Sequence, residues 1–150
     1  MSRFLSLIRL SFCRPIIPFY CLEALLYLIF FRVLIVFLPF RFWGHRFGIA
    51  YAETLKTDYR RHYPKMNLIV KSVNWVSSIV PWKSLCLDRA LAGARILKSR
   101  GLSSTIYIGL AKQTDSHWNA HAWLRCGDRF IMGYSEDQPF KLVKTIACLA

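Results

Sequence analysis

Two short stretches hold residues that could do chemistry together. In Pro81-Trp82-Lys83-Ser84-Leu85-Cys86-Leu87-Asp88-Arg89-Ala90 an apolar approach ends in a cysteine where a helical pattern begins. In Asn119-Ala120-His121-Ala122-Trp123-Leu124 a histidine stands inside a strand-like run. A sulfur at a helix start faces unpaired backbone N–H groups and the positive end of the helix dipole, which favour negative charge there. The same groups could hold the oxyanion of a tetrahedral intermediate, with the Cys86 amide the leading donor. A histidine on a following strand is the general base that such a nucleophile needs. Each part has a plainer reading. Cys86 could be an apolar helix cap and His121 a hydrogen-bonded strand residue, with His45, His62 and His117 competing for the role of base. Ala120 and Ala122 tilt the balance by leaving room beside the ring, and Trp123 can wall one side of a cleft. Trp82 has an indole N–H that could line the oxyanion hole, or a ring that seats the helix start in the core.

Other chemistries have less to stand on. His117 and His121 at i, i+4 lack the glutamate of an H-E-x-x-H site and run into a strand, so no metal is expected. There is no glycine-rich phosphate loop and no G-x-S-x-G, so neither a nucleotide cofactor nor a serine nucleophile is expected. The five cysteines (Cys13, Cys21, Cys86, Cys126, Cys148) are odd in number and form no C-x-x-C pair, which suits a reducing cytoplasm. Four of them read as small buried hydrophobes. Lys and Arg outnumber Asp and Glu by 21 to 8, for a net charge of +13, so the field around the protein favours anionic partners. The basic residues are spread along the chain with no run longer than Arg60-Arg61, which argues against a nucleic-acid arm.

The elements that must position the two stretches follow from pattern. Cys86 through Arg100 is the clearest helix, with Leu87, Ala90, Leu91, Ala94 and Leu97 on one face. Ser84 is its candidate N-cap and Gly101 its stop. Beyond it, 105–111, 120–125 and 129–132 read as strands, with Gly127-Asp128 a tight turn between the last two. A helix followed by a strand meander makes the class α+β. Ahead of it, 68–80 reads as a helix and 41–65 as a loop leading into a charged surface helix over 57–63, punctuated by Pro64. The chain divides into a helical N-terminal region, 1–80, and a core, 81–150. Arg3, Arg9 and Arg14 lie among apolar residues in a basic amphipathic segment, and Pro15 and Pro18 should interrupt any helix there. From Phe19 to Phe40 the sequence is almost continuously apolar, broken by Glu23 and Arg32. Each of these would cost about 2.5–3.5 kcal/mol at a bilayer centre, and they are too far apart to pair as i, i+4. A helix packed on its own domain, or lying on a membrane surface through residues 19–40, is favoured over a clean span. No small-residue cleavage site follows, so a secretory signal is not expected.

Taken together, Trp82-x-x-x-Cys86-Leu87-x-Arg89-Ala90-Leu91-Ala92, the Arg100-Gly101-Leu102 boundary, the Ile106–Leu110 strand and Ala120-His121-Ala122-Trp123 resemble the lasso-peptide leader peptidases. These are a transglutaminase-like, papain-related cysteine protease family. The resemblance is specific over about residues 80–134, and Leu38-Pro39-Phe40 is similar to the family's helical N-terminal half. It implies a helical N-terminal half followed by a core in which the cysteine helix packs on an antiparallel sheet. It implies further that Cys86 is the nucleophile and His121 the base for cleavage of a ribosomally made precursor peptide between leader and core. Threonine at the second-last leader position is usual. The implied partners are the precursor, a separate leader-binding recognition-element protein and an ATP-dependent macrolactam synthetase. Family members commonly carry an aspartate about a dozen residues after the histidine, where this chain reads Met132-Gly133-Tyr134. Asp128 is the favoured substitute, with Glu136, Asp137 or a bare Cys–His dyad as alternatives; a backbone carbonyl or an amide could take over part of the task. Two other functions remain open at this point: a membrane-associated, non-catalytic peptide-binding protein, and a transglutaminase-like acyltransferase.

Overall fold

The computed structural model of the chain describes residues 16–112, 118–134 and 140–150. The apolar segment forms α1 (Ile16–Phe37). Pro18 sits in its first turn, where an N–H would have no intrahelical partner, so this proline belongs to the helix rather than interrupting it. After Pro39 come a single-turn helix α2 (Phe40–Trp43) and a 3-10 turn (Gly44–Arg46), and the Trp43 indole donates to the Leu38 carbonyl at 3.0 Å. The charged stretch expected as a surface helix over 57–63 forms only a 3-10 turn, Arg60–His62. Pro64 then stands in the first turn of α3 (Tyr63–Ile79), opening a helix. The expected nucleophile helix is α4 (Cys86–Lys98). It ends short of Arg100, where Leu102 N–H returns to the Leu97 carbonyl and Gly101 N–H to that of Lys98.

Five strands make one antiparallel sheet: β1 (Ile49–Ala50), β2 (Ser104–Lys112), β3 (Trp118–Cys126), β4 (Arg129–Met132) and β5 (Lys141–Cys148). Their order is β1-β5-β2-β3-β4. The β2–β3–β4 meander matches the sequence reading, but β5 folds back to pair with the other side of β2, making β2 the central strand. The class is α+β, with α4 lying across β2 and β3.

One apolar cluster joins helices and sheet. Leu28 and Phe31 of α1, Ile69 of α3, Leu91 and Leu97 of α4, and Ile106 and Leu124 of the sheet are all at most 1% exposed. Each contributes on the order of 1.5–3 kcal/mol by leaving water. The two charges within α1 are answered inside the same structure. Glu23 takes both terminal nitrogens of Arg100 just past the end of α4, and Arg32 lies 3.8 Å from Asp88 in its first turn.

The far face of the sheet is closed by a polar network centred on Arg125, 2% exposed. Its guanidinium donates to the Tyr107 hydroxyl at 2.7 Å, the Thr54 carbonyl at 2.8 Å and the Gly127 carbonyl, and lies 3.3 Å from a Glu53 carboxylate oxygen. Thr54 N–H donates to Thr105 Oγ1 at 2.9 Å, so the strap that precedes α3 is stitched onto β2. Removing the guanidinium strands several buried acceptors. Arg125→Met is expected to destabilise the protein by about 2–4 kcal/mol in chemical denaturation. An effect under about 0.5 kcal/mol, the range of an ordinary surface substitution, would refute this view of the network.

Candidate functional site

α4 begins at Cys86, so the side chain belongs to its first turn. The helix start is not capped by Ser84: Leu85 is the residue before it, and Ser84 Oγ is buried without a partner among the described residues. The cap is supplied from inside the helix instead. Asp88 Oδ2 accepts the Leu85 N–H at 3.0 Å, the reach-back half of a capping box. Asp88 is fully buried, its Oδ1 is unpartnered, and Arg32 of α1 is the cation beside it. Burial raises its pKa above the ordinary carboxylate range, outweighing the opposing Leu85 amide and the Arg32 and Arg89 charges. A raised carboxyl binds more protons folded than unfolded, so its charged form costs stability as pH rises past the unfolded value of about 4.

The Cys86 thiol lies 3.9 Å from the carbonyl oxygen of Ala120, the residue before His121 on β3. The start of α4 therefore reaches the main chain of β3 beside His121, while the His121 side chain lies with Trp123 and Arg125 on the other face of the sheet, and no contact joins thiol and imidazole among the described residues. His121 is held from three sides. Its ring stacks on Trp123 (centroids 6.1 Å apart) and on Phe140 (5.1 Å), and Nε2 lies 2.7 Å from the Gly133 carbonyl oxygen. A carbonyl can only accept, so Nε2 carries the hydrogen in this bond; in the neutral ring Nδ1 is then the free base. Trp123 in turn stacks on Tyr107 with planes 2° apart.

Two glycines make this possible. Gly133 takes φ +76, and a Cβ there would come within 2.7 Å of the Ala122 carbonyl oxygen. Gly109 pairs across from His121, and a Cβ on it would meet the Trp123 ring at 2.7 Å.

Asp128, the favoured orienting acid, does not stand beside His121. It lies in the β3–β4 turn, past Cys126 at the other end of β3 from His121, and accepts the Tyr63 hydroxyl at 3.0 Å. Its work is to tie that turn to the start of α3. Among the described residues no carboxylate pairs with His121, and Gly133, 12 residues on, supplies a main-chain acceptor instead. Glu136, Asp137, His117 and Cys13 lie outside the described residues. Of the competing histidines, His45 is on the 3-10 turn before β1 and His62 stands edge-on to Tyr59. Trp82 packs against the core cluster while its Nε1 is buried without a partner among the described residues. The ring thus fills the seating role, and an N–H donor is left over four residues before Cys86. Sequence reasoning missed the Gly133 carbonyl, Phe140 and the Asp88 cap. The Asp at the third helical position was a visible signal for the cap; a backbone acceptor leaves none.

Two of the other described cysteines are set apart by burial, which pushes the pKa of Cys126 up to about 12 and that of Cys148 up to about 11, so both are neutral thiols at physiological pH; Cys21, on α1, is half-buried like Cys86. Cys86 is half-buried and reachable.

A family model described as the transglutaminase-like superfamily matches residues 34–145. No curated protein and no solved structure matches the chain.

The Asp88 geometry sets a stability test. Asp88→Asn keeps an acceptor for Leu85 and should flatten the loss of melting temperature that the buried carboxyl causes as pH rises above about 4. Asp88→Ala removes the acceptor and should cost about 1 kcal/mol. An unchanged pH profile in the Asn variant would contradict the assignment.

Proposed function

The chain belongs to the transglutaminase-like superfamily, and within it we propose that this protein is a cysteine peptidase that cuts the leader from a ribosomally made lasso precursor peptide. Superfamily membership supports cysteine-dependent acyl chemistry, compatible with peptidase or acyltransferase. The observation that carries the reading is the meeting of the α4 start with β3, where the Cys86 thiol touches the main chain beside His121. The narrower substrate rests on the resemblance of residues 80–134 to the leader peptidases.

In this mechanism His121 Nδ1 takes the Cys86 proton and the sulfur attacks the carbonyl carbon of the leader–core amide. The Cys86 amide, with the unpartnered Trp82 indole N–H, is the donor set for the oxyanion. The imidazolium protonates the departing core amine, leaving a leader thioester on Cys86. Water, deprotonated by His121, then releases the leader with a free carboxylate. A separate leader-binding protein would deliver the precursor, and a macrolactam synthetase would receive the core. Trp123, stacked beside His121, is proposed as a wall of the substrate cleft, with a small subsite for the penultimate leader threonine.

Cys86→Ala and His121→Ala should each lower leader release by about 10³-fold or more while leaving the far-UV circular dichroism unchanged. Processing by the Cys86→Ala protein would sink the proposal. A product carrying an amide in place of the leader carboxylate, read by mass, would assign acyl transfer. Because Asp128 serves Tyr63, Asp128→Asn should keep the rate within about twofold of the parent, whereas a removed orienting acid would cost orders of magnitude.

A further inference from the structure

The outward side of α1 and the end of α4 remote from Cys86 share a pattern that the peptidase reading does not use. Both charged side chains of α1, Glu23 and Arg32, are spent on α4 and its C-terminal boundary, on the side where Leu28 and Phe31 are fully buried. The opposite side is an uncharged stripe at helical spacing: Phe19, Leu22, Leu26, Phe30, Val33 and Phe37, between 48% and 75% exposed. This is the one helix among the described residues long and apolar enough to cross a membrane, over Ile17–Phe37. Leu26 and Phe30 also wall a cavity of about 450 Å³ between α1, α4 and the sheet. Its lining includes Arg46, Arg95 and Lys98, all three exposed and none in an ion pair among the described residues.

We propose that this face docks on the surface of an anionic lipid bilayer, with α1 lying in the interface and Arg46, Arg95 and Lys98 taking lipid phosphates. An acyl-chain-sized apolar stripe beside three unpaired cations has the chemistry of an acidic phospholipid, and the net charge of +13 draws the protein to such a surface. Crossing the bilayer is disfavoured, because it would break the Arg100–Glu23 and Arg32–Asp88 pairs and pull Leu28 and Phe31 from the core. A second copy on the same face would set three cations against three across a two-fold axis. Cys86 and Lys98 stand at opposite ends of α4, about 18 Å apart at 1.5 Å per residue, so docking leaves the Cys86 end open to water.

The test is co-sedimentation of the full chain with vesicles of phosphatidylcholine alone and of phosphatidylcholine containing about one-third phosphatidylglycerol. Binding is expected to the anionic vesicles only, and to fall with salt. The triple variant Arg46→Gln, Arg95→Gln, Lys98→Gln changes exposed side chains only; it should keep the parent's circular dichroism and bind about 100-fold more weakly. Leu26→Glu with Phe30→Glu should abolish binding. Equal binding to both vesicle types, a triple variant that binds as the parent does, or a dimer that the Glu substitutions dissolve would each overturn the proposal. Leader release without vesicles is a separate readout, so docking and catalysis can fail independently.

Discussion

Everything in this fold depends on α4 being gripped at both ends by α1. An apolar helix has no reason to choose one rotation or one axial position against its neighbour, since any of its faces buries about the same surface. Two charges remove that freedom. Glu23 can be satisfied only near Arg100, and Arg32 only near Asp88, so α1 is fixed in rotation and in register along α4. The Arg100–Glu23 contact forms two parallel hydrogen bonds and adds angular restraint to charge. Because Asp88 also holds the Leu85 amide, the position of Cys86 is set in part by a helix far ahead of it in sequence. That is why a region outside the chemistry is built into the same core.

Much of this was legible from the residues. The helix starting at Cys86 was readable because apolar residues recur on one face and Gly101 stops it. The β2–β3–β4 meander was readable from β-rich runs separated by turn residues. β5 was not, because its first half is exposed and its second half buried. That gradient matches neither alternation nor a buried run, and its partner β2 is remote in sequence. Of the prolines, Pro15 lies outside the described residues, Pro64 marks a boundary by opening α3 rather than by closing a helix, and Pro18 does not interrupt α1. Pro18 and Pro64 occupy first turns, where proline is harmless, and the sequence alone does not say which turn a proline falls in. Glu23 and Arg32 stand out in the apolar run as charges that need partners, but those partners lie on and just beyond another helix and could not be named without the fold.

At the site, Cys86 and His121 stood out because their residue types carry chemistry. The third position did not, because an acidic side chain was sought and the bond to Nε2 comes from a peptide carbonyl. Asp128 drew attention by being a carboxylate near in sequence, but a turn at the far end of a strand is distant in space. Phe140, which covers one face of the imidazole, lies on the return toward β5 and was beyond any local pattern.

The Gly133 carbonyl has a consequence for how such a site can vary. An aspartate that orients a histidine can be lost by one codon change. A main-chain oxygen cannot be mutated away, and it disappears only if the chain changes its path. The vulnerable element is therefore the left-handed turn that aims the oxygen, and with it the glycine that permits φ +76. The hold on this imidazole lies in backbone shape rather than in side-chain identity, so the positions around it can drift while that bend is kept.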